Sequence, residues 1–219
     1  NRGEIAIRIA RAAQALGIRS VSIYAKEDEL SLHTRHTDQR IQLDQNTDPV
    51  AAYLNIDNIM QIAMDNSCDA IHPGYGFLSE NAELASACEA AGIIFVGPAA
   101  DTLKLFGNKV EARKLAESIG IPVVPGTAIA NPEQAKQFAD NNGFPVMVKA
   151  VAGGGGRGMR AVYSQDELDD AFLRCQSEAE AAFADGALLI EKLIEQPRHI
   201  EVQILADANG EVVHLFERD

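Results

Sequence analysis

Basic residues and cysteines are scarce in this sequence, and long hydrophobic runs are missing from it. Lys and Arg number 19 against 32 Asp and Glu, which gives a formal net charge of −13. That balance argues against a nucleic-acid-binding face, because such a face needs clustered positive charge. A small anionic ligand is still possible, since backbone amides and a few cations can supply a local positive field.

The three cysteines, Cys68, Cys88 and Cys175, lie far apart and form no CxxC pair. They fit neither a disulfide framework nor a zinc site, so we interpret them as reduced thiols of an intracellular protein. No apolar run approaches the ~18 residues that a membrane span needs. Glu4 and Arg8 interrupt the first apolar residues, which argues against a signal peptide.

The first hundred residues alternate between helical and β-rich segments. Helices are predicted over residues 1–17, 49–64 and 81–91, and strands over residues 20–25, 70–71 and 93–96. This alternation predicts an α/β fold, a doubly wound parallel sheet with helices on both faces. A helix in first place also implies a strand before Asn1, because that helix needs a sheet to cover. The loop His72–Phe77 follows a predicted strand, where ligands bind in such sheets.

After Gly97 the pattern becomes α+β. Helices are predicted over residues 101–119, from Pro132 onward and over residues 164–184, and strands over residues 145–149, 160–163, 187–190, 200–205 and 211–216. Asn131 with Gln134, and Ser164 with Glu167, are interpreted as capping boxes. Asn209–Gly210 is interpreted as a hairpin turn and residues 122–126 as a linker or edge segment. We expect a first domain over residues 1–105 and a second over residues 106–219.

The most informative stretch runs from Lys149 through Gly153–Gly158 to Arg160, where five of six consecutive residues are glycine. Such a run carries a heavy entropic cost unless the backbone must approach something closely. Bare amides can wrap the oxygens of a polyphosphate, and Lys149 and Arg157 add positive charge. The alternative is a flexible linker, but linkers are usually Gly/Ser-rich and need not lie between two strands.

Three common phosphate loops do not match this stretch. A Walker A loop carries its Lys after the glycines, as does the protein-kinase loop, whereas Lys149 precedes them. A Rossmann loop opens a helix, whereas residues 160–163 are predicted to be β. A glycine hairpin between two strands fits a lid that closes over phosphates.

Lys149 followed by GGGGRGM resembles the lid of ATP-grasp enzymes, specifically of biotin carboxylases. Four further stretches are similar to that family: NRGEIA at 1–6, HPGYGFLSEN at 72–81, Gly107–Lys109, and residues 191–201. Together they span nearly the whole chain. Among biotin carboxylases, EKLIEQPRHIEVQIL and VVHLFERD look most like the N-terminal part of bacterial-type pyruvate carboxylases, with acyl-CoA carboxylase subunits as close alternatives.

The resemblance implies a pre-ATP-grasp domain, then an ATP-grasp lid over about residues 122–190 and the start of the ATP-grasp C-terminal subdomain. It also implies which residues bind ATP. Lys109 and Lys149 would bind phosphates, and Gly155 and Gly156 would belong to the lid. Glu191, Lys192, Leu193 and Ile194 would line the adenine, and His199 would lie against the nucleotide.

The implied reaction is the ATP-dependent carboxylation of biotin by bicarbonate through carboxyphosphate, with Mg²⁺. The biotin would be held on a carboxyl carrier domain or protein, and the full-length protein would be a homo-oligomer in the cytoplasm, or in the mitochondrial matrix of a eukaryote. No nucleic acid and no membrane are expected as partners. Two alternatives stay open: another ATP-grasp ligase, and a non-catalytic nucleotide-binding or assembly module.

The family continues beyond the last residue of this chain. The Mg²⁺ ligands and the arginines for bicarbonate and biotin are expected after Asp219, so no catalytic residue is predicted here. We expect that these 219 residues are part of a longer chain and cannot turn over alone, although weak nucleotide affinity could remain.

Overall fold

Two units, each with its own hydrophobic core, make up the chain: Asn1–Leu115 and Ala116–Asp219. The computed structural model describes residues 2–44, 48–152, 158–207 and 209–218. Among these residues no helix has the length and apolarity to cross a bilayer.

Helices and short parallel strands alternate in the first unit, as predicted. Its helices are α1 (Gly3–Ala15), α2 (Pro49–Leu54), α3 (Ile56–Asp65), α4 (Ala82–Ala90) and α5 (Ala100–Gly107), followed by α6 (Lys109–Ser118). Its strands are β1 (Val21–Tyr24), β2 (Gln39–Gln42), β3 (Ala70–Ile71) and β4 (Ile94–Phe95). β1 pairs in parallel with β2, and β3 pairs in parallel with β4. Short 3-10 helices occupy Lys26–Asp28 and Leu32–Arg35.

Two of the predicted helices are each divided by an asparagine. The helix expected over residues 49–64 breaks at Asn55, and the one over residues 101–119 breaks at Asn108. Both asparagines have extended backbones, and their side-chain oxygens accept backbone N–H groups of the next helix, at Asn58 for Asn55 and at Val110 for Asn108. Each therefore caps the N-terminus of a new helix, a role for which asparagine is well suited.

Arg2 joins the chain's first turn to the loop that follows β3. Its guanidinium lies 5.6 Å from the ring centroids of both Tyr53 and Phe77. It also donates to Asp28 at 3.2 Å, and the Tyr53 hydroxyl donates to the same carboxylate oxygen at 2.9 Å. Burial raises the pKa of Asp28, but the hydrogen bonds from Tyr53, Arg2 and Ser31 outweigh it and hold that pKa below its usual value. Two family stretches, 1–6 and 72–81, thus meet in one cluster.

His33 is a buried histidine in the first unit, with only 1% of its surface exposed. Its Nε2 lies 3.4 Å from the carbonyl oxygen of Ile23, and no described residue gives its Nδ1 a partner. Burial lowers the pKa of His33, and burial likewise lowers the pKa of His72. The folded protein therefore resists protonation at both rings.

The lowered pKa values of His33 and His72 predict a loss of stability at mildly acidic pH. The unfolded chain binds protons at His33 and His72 near pH 6.5 and the folded chain only below it, so the free energy of unfolding should fall as the pH drops from about 7.5 to 5.5. Urea unfolding at both pH values measures this. His33→Gln should make the dependence shallower, and an unchanged slope in that variant would contradict the account.

The second unit is built on an antiparallel sheet of four strands, in the order β5-β8-β6-β7. They are β5 (Gly126–Ile129), β6 (Val146–Ala150), β7 (Met159–Val162) and β8 (Leu188–Lys192). Two helices accompany them, α7 (Pro132–Asn142) and α8 (Leu168–Phe183), and a hairpin of β9 (Glu201–Ala206) and β10 (Val212–Arg218) follows. β5 is an edge strand that begins at Gly126, the last residue of the predicted linker or edge segment, and its other three residues were not predicted as a strand.

One face of this sheet is covered by α7 and α8. Alternate residues of the inner strands are fully buried on that face, among them Val146 and Val148 of β6 and Ile190 of β8, each with 0% exposure. They form one core with apolar residues of the two helices, such as Phe138 and Phe172. Burial raises the pKa of the nearby Cys175 thiol to about 11, and all three cysteines are free.

The capping predictions have mixed outcomes. Asn131 caps α7 by accepting from the N–H of Gln134, whose side chain accepts from Ala130. Ser164 makes no capping hydrogen bond, so the box predicted there is wrong. Instead, Glu167 accepts from the N–H of Tyr163, and a 3-10 turn precedes α8.

Candidate functional site

The second face of the four-stranded sheet carries a different set of side chains, which we call the open face. Strand residues alternate between faces, and Met147 and Lys149 alternate with the buried valines of β6. Lys149 is paired in register with Met159 of β7, and Met147 is paired with Ala161 of β7 and Glu191 of β8. Paired residues share a face, so these five side chains belong to the open face.

Lys149 and Glu191 form an ion pair on the open face. The two residues are diagonal neighbours on adjacent strands, a relation that long side chains can bridge. Their side chains are 22% and 21% exposed. A partly exposed pair of this kind contributes about 0–1 kcal/mol to stability.

A basin of about 620 Å³ lies at the end of the sheet where β8 ends, and Met147, the register partner of Glu191, is part of its lining. Its volume is in the range typical of small-molecule sites. The strands and the segment after β8 supply its lining, which is Met147, Ala161, Tyr163, Leu193, Ile194, Glu195 and Gln196. A flat ring could lie against the apolar side chains while backbone groups of the segment contact its edge.

The end of β8 is held by the two neighbouring strands and by the Lys192 side chain. The backbone N–H of Lys192 donates to the carbonyl of Pro125 at 2.8 Å, and that of Leu193 to the carbonyl of Pro145 at 3.1 Å. The Lys192 ammonium donates to the carbonyls of Phe144 at 2.8 Å and Gly143 at 3.2 Å. Its side chain is therefore engaged with the turn before β6, and only its backbone is available to a ligand.

The glycine loop is the segment that connects β6 to β7. At its base the N–H of Ala150 donates to the carbonyl of Gly158 at 2.8 Å. Gly158 has a φ of +64°, and a Cβ there would lie 3.1 Å from the Cβ of Ala150. Gly155 and Gly156, the predicted lid residues, lie outside the described residues.

Replacing Gly158 by alanine should destabilise the second unit. The left-handed backbone conformation costs a non-glycine residue roughly 1–3 kcal/mol, and the contact with buried Ala150 adds to it. Gly120 is a matched control in the same unit, because its φ is +76° but a Cβ there would meet nothing within 4 Å. Denaturant unfolding should show a larger loss for Gly158→Ala than for Gly120→Ala; equal losses would contradict the close packing.

The remaining predicted residues lie elsewhere. Lys109 is the first residue of α6 in the first unit. His199 is exposed, between β8 and β9. Throughout the described ranges, no three His, Cys, Asp or Glu side chains are grouped as a metal site would need.

Sequence reasoning missed two features of the site. Met147 lines the basin, and the period of two along β6 could have placed it beside Lys149. Arg160 of β7 forms an ion pair with Glu178 of α8 that fastens the strand leaving the glycine loop. No local sequence signal indicates that pair, because its members are 18 residues apart.

Comparisons with known proteins cover nearly the whole chain. Residues 1–103 match the family described as biotin carboxylase, N-terminal domain, and residues 108–219 match the ATP binding domain of the carbamoyl-phosphate synthase L chain. Across its whole length, this chain is 51% identical to mitochondrial pyruvate carboxylase of Homo sapiens and 52% identical to pyruvate carboxylase of Bacillus subtilis. This chain belongs to the biotin carboxylase family. It corresponds to the biotin carboxylase portion of pyruvate carboxylases and spans 19% of the length of these relatives.

A solved biotin carboxylase structure agrees in fold. The biotin carboxylase domain of 2-oxoglutarate carboxylase from Hydrogenobacter thermophilus matches 99% of this chain with a TM-score of 0.94 and 42% identity, over 48% of its own length. That structure is a domain dimer in complex with MgADP, ADP and bicarbonate. The predicted ATP-grasp fold of this biotin carboxylase chain is therefore confirmed, and its relatives are ATP-dependent ligases of both mitochondria and bacteria.

Proposed function

We propose that this chain supplies the nucleotide-binding part of an enzyme that carboxylates biotin with ATP and bicarbonate, as a portion of a pyruvate carboxylase. One observation carries the proposal. Lys149 lies on the open face near the end of β6, four residues before the first glycine of the loop, and pairs with Glu191, whose register partner Met147 lines the basin. A cation suits the phosphates of a nucleotide, a basin lined in part by apolar side chains suits its base, and a glycine loop suits a covering lid.

Different residues of the proposed site would contact the base and the phosphates of the nucleotide. The base would lie in the basin against Met147, with the backbone from Lys192 to Ile194 contacting its edge and Glu191 beside it. Lys149 would bind phosphate oxygens. This arrangement is supported by the open faces of β6 and β8, which carry Met147, Lys149 and Glu191 together.

Three further groups complete the proposed nucleotide site. Lys109 would add a second cation to the phosphates, His199 would lie against the nucleotide, and Gly155 and Gly156 would close over it. Lid closure would exclude water, which would otherwise hydrolyse a reactive intermediate. The chemistry would then rest on positioning and on neutralising the charge of the transferred phosphoryl group.

The reaction would proceed in two steps. A bicarbonate oxygen attacks the γ-phosphorus of ATP, ADP leaves, and carboxyphosphate forms. Carboxyphosphate then breaks into CO₂ and phosphate, and the ureido nitrogen of biotin attacks the CO₂ and loses its proton.

The other partners follow from the same proposal. Biotin would arrive on a carboxyl carrier domain or protein, and the full-length product would be a homo-oligomer of the cytoplasm or the mitochondrial matrix.

We also propose that the family's first domain ends at residue 105 and its ATP-grasp domain starts at residue 106.

Transfer of labelled carbon from bicarbonate to free biotin tests the function. The assay uses the full-length gene product that carries this chain, with and without ATP. We expect ATP-dependent labelling of biotin. Formation of carbamoyl phosphate from bicarbonate and ammonia, with no labelled biotin, would instead identify another ATP-grasp ligase and overturn the proposal.

A further inference from the structure

The strand that leaves the glycine loop, β7, lies at the edge of the four-stranded sheet. Among the described residues, β6 is its only strand partner. β6 itself has a strand on each side, β7 and β8. The two strands that flank the glycine loop are therefore held unequally, because ladders of backbone hydrogen bonds fix β6 from both sides and β7 from one side alone.

Helix α8, on the covered face of the sheet, gives β7 a second support. Arg160 is paired in register with buried Val148, so its side chain belongs to the covered face. There it forms an ion pair with Glu178 of α8. Cys175, three positions before Glu178, lies on the same side of the helix, and its thiol is 3.8 Å from the carbonyl oxygen of Val148. This side of α8 therefore faces both β6 and β7.

The same stretch of α8 lies next to the base of the glycine loop. A Cβ at Gly158 would lie 3.9 Å from the carbonyl oxygen of Cys175. Gly158 also accepts a hydrogen bond from the N–H of Ala150 at 2.8 Å, which closes the base of the loop. Arg160 follows Gly158 by two residues, so its ion pair with Glu178 fastens the chain directly after the loop to the helix beneath.

We propose that Glu178 is a positioning residue, which acts through Arg160 to hold β7 and the base of the glycine loop in place. The inference rests on the proposed function, in which the loop covers the nucleotide and excludes water. When that cover is less firmly held, water reaches carboxyphosphate. A water oxygen then bonds to the carboxyl carbon, the bond from this carbon to the bridging oxygen breaks, and a water proton passes to the phosphate. Bicarbonate and phosphate result, so ATP is cleaved and no biotin is carboxylated.

The exposure of the pair limits the size of the effect. The side chains of Arg160 and Glu178 are 32% and 49% exposed. A pair this exposed shifts an equilibrium between two conformations by no more than about fivefold. Its loss should therefore leave the fold of the second unit intact, and a change in the use of ATP can be measured on folded protein.

Asp170 provides a matched control on the same helix. Its carboxylate pairs with Arg174 four residues further along α8, and these side chains are 67% and 62% exposed. The pair lies within one helix and does not join α8 to β7. Asp170→Asn removes a carboxylate charge from α8, as Glu178→Gln does, and leaves the link to β7 in place.

The test counts the ATP cleaved for each biotin carboxylated by the full-length gene product. Labelled bicarbonate and free biotin give the carboxybiotin formed, and released ADP gives the ATP cleaved. Glu178→Gln and Arg160→Gln should each raise this ratio about two- to fivefold. The double variant should raise it no further, because either single change already breaks the same pair. Asp170→Asn should keep the wild-type ratio.

The outcomes separate this inference from the proposed function. A merely structural role would lower ATP cleavage and biotin labelling together, so an unchanged ratio in folded Glu178→Gln and Arg160→Gln overturns the role of Glu178 while the proposed function stands. An equal rise in Asp170→Asn, or single effects that multiply in the double variant, overturns it as well. If one single variant fails to fold, the other decides. A wild type that labels no biotin overturns the proposed function and this inference with it.

Discussion

Lys149→Met should weaken MgATP binding about 10- to 150-fold, because a charge-assisted hydrogen bond to a phosphate contributes about 1.5–3 kcal/mol. Methionine keeps the length of the side chain and removes only the ammonium. The loss should be confined to binding, since the ion pair with Glu191 is partly exposed and contributes little to stability. Calorimetry with the full-length gene product measures the affinity, and thermal unfolding measures the stability.

Lys136→Met is the matched control for this substitution. Lys136 also forms an ion pair in the second unit, with Asp169 at 2.8 Å, but it joins α7 to α8 on the covered side of the sheet. The same change there should leave MgATP affinity as it is in the wild type. Equal losses of affinity in the two variants would show that Lys149 acts through the fold and would remove it from the proposed site.

Ile190→Ala should cost the second unit about 2–5 kcal/mol of unfolding free energy, the usual range for a large aliphatic side chain removed from a core. Ile190 has 0% exposure and lies in the middle of β8, which pairs with both β5 and β6. The cavity would open under the strand that carries Glu191, so nucleotide binding should weaken together with stability.

Ile204→Ala removes the same atoms from the hairpin of β9 and β10, where Ile204 is 51% exposed. Surface substitutions usually change stability by no more than about 0.5 kcal/mol. Denaturant unfolding of both variants therefore tests the assigned core directly. A loss for Ile190→Ala no larger than that for Ile204→Ala would contradict the assignment of the covered face of the sheet.

Local patterns predicted the elements that carry the site. The β-rich run at residues 145–149 predicted β6 and the glycine run predicted a hairpin, and both strands are present within about one residue of their predicted bounds. These features depend on neighbours in the sequence, which is why a single chain sufficed to predict them.

Features that depend on distant residues were beyond local patterns. Lys149 and Glu191 are 42 positions apart, and only the register between β6 and β8 brings them together. β5 was obscured by the prolines that precede it, because proline argues against a strand. The breaks at Asn55 and Asn108 were missed because hydrophobic periodicity continues across them, while the side-chain caps that cause them have weak signals.

Hydrogen–deuterium exchange with and without MgATP tests the central claim, that the nucleotide binds on the open face of the second unit's sheet. In the full-length gene product, MgATP should slow amide exchange across residues 191–196 and at the end of β6. Exchange in α8, on the covered face, should stay as it is without nucleotide. MgATP binding that leaves residues 191–196 and β6 unprotected would contradict the account.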